Sequence, residues 1–404
     1  MSSLRRRHLS LFVLFFVPGL GLASWITRTP ALRDLLGLSL GEMGLLLLAL
    51  SIGSTTGLVA SSPALAHWGT KPLLVFGVVG MLIGIPLLGV GAHFGAFALA
   101  ALGLGLFGLG MGSTDIAMNV EGAAVEQAIG KPAIPALHGT SAAGSVAGAL
   151  VGILATLLNV PVVLHLTVIA VASAPALIWA LRGIPYTAPE GKAVDQRTGR
   201  RSAPVWKDSR LILIGVIVLA LALAEGSAND WLPLLMVDEH GLEETISSLI
   251  YLIFVLSVAA GRFSGSWFIT RFGNARVLAG SAAIGAIGLI LIVLANNLIV
   301  AGVAVILWGI GASLGFPIAI SAAGSSGQNA AARVALVSIL GYVAFLAGPP
   351  FLGFIGEQWG LRGAMVVVLI GVILAVILSP TLAQRRHTTS ASPDNKKMEQ
   401  PTRT

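Results

Sequence analysis

Cysteine is missing from all 404 residues, which excludes disulfides, thiol catalysis and cysteine-ligated metals. Charge is nearly as scarce. Only 10% of residues are Asp, Glu, Lys or Arg, against about 25% in an ordinary globular domain, too few to cover a soluble surface. The seven histidines show no His-x3-His spacing, so no metal centre is expected. No phosphate loop, Walker lysine or paired catalytic carboxylates occur. The sequence therefore predicts no enzyme and no cofactor, and any energy must come from an ion or solute gradient. What is present is hydrocarbon. Hydrophobic residues make up 56% of the chain and the mean hydropathy is +0.92, which predicts an integral membrane protein.

About 20 apolar residues cross a bilayer core. Such segments recur at 9–27, 40–62, 72–92, 95–118, 134–158 and 161–181, and again at 210–231, 245–269, 276–295, 298–322, 332–356 and 362–382. The expectation is an all-α membrane protein of twelve spans. An N-terminal six-helix half occupies 1–182, a polar cytoplasmic linker 183–209, a C-terminal half 210–382, and a disordered cytoplasmic tail 383–404. Reading the first span as a cleaved signal peptide would leave eleven and spoil the six-plus-six division.

Placing the N-terminus in the cytoplasm puts twenty Lys and Arg on the inner side and three (Arg28, Arg33, Arg362) on the outer, so both termini are expected inside. The net charge of +7 is then a consequence of insertion topology, and no nucleic acid is called for. A monomer in the lipid bilayer is expected, with a small-molecule substrate and protons as its partners.

The halves repeat. Gly57 and Gly69 match Gly261 and Gly273 at the same spacing, Trp68 matches Phe272, and Trp25 stands 44 residues before Gly69 as Trp231 stands 42 before Gly273. The fourth and tenth spans both carry glycine ladders, Gly103 to Gly112 and Gly309 to Gly315. Small residues of this kind let membrane helices approach closely and slide.

Polar groups inside spans are costly and usually face a cavity or a partner. Glu225 is the acidic residue deepest in a span, with Asn229 four residues on and on the same face. These two, with Trp25, Tyr251 and Tyr342 as cavity-lining aromatics, form the expected substrate or proton site. A structural alternative has Glu225 bracing neighbouring helix ends. Trp308 is a further aromatic candidate, although a Trp near a helix end commonly anchors at the membrane interface. Asp230 is expected at the outer rim, paired with Arg28. Asp115 and Asn119, read as the cytoplasmic end of the fourth span, face Arg262 and Arg333 of the other half, which makes Asp115–Arg262 the expected inter-half gate pair. His138 titrates near neutral pH in principle, with a helix-start hydrogen bond as the plainer reading. Pro317, Pro349 and Pro350 are expected to kink or break their helices.

The loops "SPALAHWGTK" (62–71) and "SWFITRFGNAR" (266–276) resemble the major facilitator loop motif G-x-L-a-D-r-x-G-r-[RK]. The second copy keeps Arg271, Gly273 and Arg276 with Thr270 at the acidic position. The first has Ala66, His67 and Thr70 in place of the motif's Asp and two Arg residues. With "WITRTPALRDLLGLSLGEMG" (25–44), "DIAMNVEGAAVE" (115–126), "AEGSANDWLPLLMVD" (224–238), "GASLGFPIAISAA" (311–323) and "GPPFLGFIGEQWGLR" (348–362), the chain resembles the YbjJ-type bacterial inner-membrane transporters across 9–382. That resemblance implies the major facilitator fold and secondary active transport of a small solute by alternating access, about a site bounded by the first, fourth, seventh and tenth spans. The Gly-Pro signature of drug/proton antiporters is absent from the fifth span. An efflux antiporter for amphipathic compounds and a non-transporting receptor or scaffold of the same fold are the alternatives.

Overall fold

The structure is a computed structural model and describes residues 3–130, 133–186, 205–325 and 330–382. Most of the expected linker (187–204), the tail (383–404) and Lys131 lie outside the described residues.

In a bilayer the backbone must satisfy its own hydrogen bonds, and helices do so within one segment. The first half comprises α1 (Ser3–Ile26), a short α2 (Thr29–Leu36), α3 (Leu40–Trp68), α4 (Thr70–His93), α5 (Phe97–Ile129), α6 (Ile134–Leu157) and α7 (Val162–Gly183). The second comprises α8 (Ser209–Asp238), α9 (Glu244–Phe272), α10 (Asn274–Leu294), α11 (Leu298–Ala312), α12 (Gly315–Ser325) and α13 (Ala330–Leu378). Together α11 and α12 make one span. In α13, which is twice the length a bilayer needs, Gly360 sits at φ 73°, ψ 164° and divides two crossings. Six spans in each half result.

Local chemistry explains several helix starts. Ser39 and Glu42 form a capping box at α3, with Ser39 Oγ accepting from the Glu42 amide (3.2 Å) and Glu42 Oε2 from the Ser39 amide (2.9 Å). Asp208 caps α8 by accepting from the Leu211 amide at 3.2 Å, and Asn297 caps α11 by accepting from the Val300 amide at 2.9 Å. The repeated glycines share one conformation. Gly69 joins α3 to α4 at φ 79° and Gly273 joins α9 to α10 at φ 81°, a region an L side chain rarely enters. In the ladders, a Cβ on Gly53, Gly57, Gly108 or Gly112 would strike the backbone of the facing helix, so α3 and α5 touch through their main chains.

Three expectations change. The fourth span does not end at 118. It continues as α5 to Ile129, because Glu121 is buried against Arg7 and Glu126 caps α6 through the Ala133 and Ile134 amides (2.7 and 3.1 Å). The seventh span continues to Asp238, which pairs with Arg33. The paired prolines do not break their helix: Pro349 and Pro350 lie within helical α13, whereas Pro317 follows directly on the interruption between α11 and α12, where it withholds the N–H that the Ser313 carbonyl four residues back would accept. The breaks fall at Ser313–Leu314 and at Gly360.

The halves meet through α3 against α13 and α6 against α9. All four side-chain bonds found between them among the described residues lie in the membrane half remote from the chain's N-terminus. Arg33 pairs with Asp238. Glu357 Oε2 accepts from the Gly41 amide (2.6 Å), Ser51 Oγ donates to the Phe345 carbonyl (2.7 Å), and Ser248 Oγ donates to the Thr27 carbonyl (3.0 Å). There Gly44 lies so close that a Cβ would sit 2.9 Å from the Pro349 carbonyl and 3.0 Å from Pro350 Cα. This far side is shut.

Candidate functional site

Between the halves lie two adjoining chambers, of about 350 and 490 Å³. Leu22, His138, Ser141, Ser145 and Asn229 line both, so they form one cavity. The larger chamber runs down α9 to Ser266, six residues from that helix's end at Phe272, and so reaches toward the side bearing the N-terminus. Walls come from α1, α3, α5 and α6 of one half and α8, α9 and α13 of the other. The tenth span was expected here, yet no residue of α11 or α12 lines either chamber. Its α12 start packs behind α8, where a Cβ on Gly315 would meet Leu221.

From the first half, α5 presents Asp115 and Asn119 and α6 presents His138. Asn119 Nδ2 donates to the Asp115 carbonyl (2.9 Å) and to Asp115 Oδ1 (3.3 Å), while its Oδ1 lies 3.1 Å from His138 Nε2. Asp115 is not at a helix end. It stands eighteen residues into α5 and lines the cavity. His138 does more than cap a helix start, since it ties α6 to α5 through Asn119 and meets Phe15 edge-on.

From the second half, α8 presents Glu225, Asn229 and Asp230. Arg262 Nη2 donates to Glu225 Oε1 at 2.7 Å, with the arginine side chain 47% and the glutamate 19% exposed. The expected Asp115–Arg262 pair is therefore not formed. Arg262 reaches across from α9 to the nearer α8 carboxylate, and its Nε approaches the Ser313 carbonyl (3.4 Å). The Tyr251 hydroxyl donates to Asn229 Oδ1 at 3.2 Å, and Tyr342 lines the smaller chamber.

Asp230 is also corrected. It faces the cavity rather than the rim and does not pair with Arg28. The guanidinium of Arg28, in the turn after α1, instead donates to the Val160 carbonyl (3.0 Å); burial lowers its pKa, partly offset by the nearby Glu244 carboxylate. Arg333 reaches the capping residue of α8. It binds Asp208 Oδ2 at 2.6 Å, and that hydrogen bond, chief among the causes, holds the Asp208 carboxyl below its usual range. Trp25, Trp231 and Trp308 are not interfacial anchors. Trp25 is 1% exposed and lines the cavity, and Trp231 is fully buried. Trp308 is buried outside the cavity, donating to the Ala224 carbonyl (3.0 Å). Sequence reasoning missed the serine and threonine floor of α3 and α6 (Ser51, Ser54, Thr55, Ser141, Ser145), because isolated hydroxyls carry no periodic signal.

Two six-span halves around a shared central cavity define a multi-pass membrane transporter rather than an enzyme. The chain belongs to the Major Facilitator Superfamily, whose model matches residues 12–334. It is 30% identical over 373 residues to an uncharacterized transporter of Sinorhizobium fredii, covering 92% of this chain and 96% of that one. It is 28% identical over 357 residues to an uncharacterized MFS-type transporter of Yersinia pestis, covering 85% and 87% respectively. It is 25% identical over 368 residues to the membrane protein MosC of Rhizobium meliloti, covering 89% and 86%. Among solved structures, a mutant of the nucleoside transporter NupG superposes with a TM-score of 0.74 at 16% identity, over 93% of this chain and 98% of that one. FucP, a family transporter in the outward conformation, gives 0.64 at 18% over 95% and 100%. At such identities these structures speak to the fold alone.

Proposed function

We propose that the chain is a secondary active transporter that carries a small solute across a bacterial inner membrane by alternating access, driven by protons. Both termini are cytoplasmic in this reading, and the domain boundaries follow 1–182, 183–209, 210–382 and 383–404. The observation that carries it is the Glu225–Arg262 pair, standing in a cavity walled by both halves and shut on the far side. A carboxylate exchanging its guanidinium partner for a proton changes the charge of the α8–α9 contact by one unit. Asn229, hydrogen-bonded to Tyr251, lies beside that switch and in both chambers. Protonating Glu225 releases Arg262, so the proton and the solute act on one mobile contact. Asp115, Asn119 and His138 complete the opposite wall. Rocking of the halves then breaks the Arg33–Asp238 and Gly41–Glu357 contacts and opens the far side.

Proteoliposomes holding a pH-sensitive dye test this. Solutes that acidify the lumen with the wild-type protein should fail to do so with Glu225→Gln, while their exchange across the membrane persists. If Glu225→Gln still couples proton movement to solute, the proton role belongs elsewhere.

A further inference from the structure

The cavity is lined by three carboxyl groups against one arginine and one histidine, and the arrangement is asymmetric. Glu225 and Arg262 neutralise one another. Two carboxylates remain, one from each half. Asp115 receives only the neutral Asn119 amide, with His138 nearby, and Asp230 has no hydrogen bond or ion-pair partner among the described residues. Both line the same 350 Å³ chamber. Around them stand Phe15, Trp25, Tyr342 and Phe345, with methionines and leucines filling the wall. Trp25, 1% exposed, lines this chamber with its indole N–H unpartnered. A carboxylate inside a membrane-spanning helix is costly without a compensating charge, and aromatic faces attract cations.

Resting on the transport reading of the central cavity, we infer that the solute is an organic cation: a protonated amine on an apolar body, its nitrogen drawn into the acidic chamber that Asp115 and Asp230 line and its body against the aromatic wall. The amine supplies the ion-pair partner that neither aspartate has among the described residues. An acceptor oxygen on the body would meet the Trp25 N–H. The two aspartates belong to different halves, so a cation in the chamber is attracted by both of the bodies that must move together. The competing arrangement, an anion on Arg262, places a second negative group beside Glu225.

Binding is measured on the purified full-length protein by thermal shift, with three probes of matched body and different charge: phenethylamine, phenethyl alcohol and hydrocinnamate. Phenethylamine should bind at least about tenfold more tightly than the alcohol, and hydrocinnamate should not bind. At least one of Asp115→Asn and Asp230→Asn should weaken phenethylamine by about tenfold, as expected for loss of one charge-assisted contact, with less effect on the alcohol. Asp34→Asn, on the exposed face of α2, serves as the control, and unchanged helical circular dichroism shows that the variants fold. Equal binding of amine and alcohol, binding of hydrocinnamate, undiminished amine binding by both Asn variants, or no binding of any probe each overturns the inference. Binding needs no gradient, so amine binding without flux would defeat the transport reading and leave this one standing.

Discussion

At the scale of single residues, the buried charges divide into those that hold the fold and those that face the cavity. Glu121 is 2% exposed and bound by Arg7, which links the start of α1 to α5 on the N-terminal side of the first half. Removing one partner of a buried pair leaves an uncompensated charge, at a cost of about 3–5 kcal/mol. Arg7→Met should therefore lower the unfolding midpoint sharply, and adding Glu121→Gln should recover most of the loss. A double variant no more stable than the single would show that the pair contributes little. Glu225–Arg262 differs because its arginine is half exposed to the cavity. It stabilises less and is free to exchange partners, which suits a coupling role.

At the scale of elements, backbone proximity decides what can close. The far-side contact of α3 with α13 works because Gly44 and Gly353 face each other: a Cβ on Gly353 would come within 2.7 Å of the Leu40 carbonyl and 3.2 Å of Gly44 Cα. Side chains here act as wedges between the halves. Gly44→Val should hold the far side open, so that a cysteine placed at Gly41 reacts several-fold faster with a membrane-impermeant maleimide than in the Gly44 background. Equal rates would show that α3 and α13 close without this contact. The native absence of cysteine makes such labelling clean. The turn glycines are a separate matter. Gly69, Gly273 and Gly360 hold positive φ at the helix joints, fixing geometry rather than permitting motion.

At the scale of the whole molecule, the chain is two helical bodies sharing a cavity that is shut at one end. The charge asymmetry of its loops orients it. His93→Cys, at the far end of α4, should react with an impermeant maleimide in intact cells, and His67→Cys, at the end of α3, only after permeabilisation. The reverse pattern would invert the topology and exchange the sides assigned to the closed end and the cavity mouth.

Most of the fold was legible in the sequence. Twelve apolar runs, a glycine repeat and a basic bias are local or periodic signals, and a bilayer turns them directly into spans. The repeat located Gly69 and Gly273 as equivalent joints, and both adopt the same backbone conformation. The polar face of α8 was likewise visible as Glu225 with Asn229, since positions four apart share a face. Which partner each charge takes was not legible. Arg262 chooses Glu225 over Asp115, Arg28 takes the Val160 carbonyl over Asp230, and Arg333 takes Asp208. Those choices depend on the azimuth of each helix and the tilt between halves, which long-range packing sets and which no spacing within one segment encodes. The sequence by itself determined the solvent, the number of crossings and the candidate polar residues, because these follow from transfer free energies along one chain. Only the tertiary structure decided that Asp115 and Asp230 line one chamber, because that chamber is a property of two bodies docked against each other.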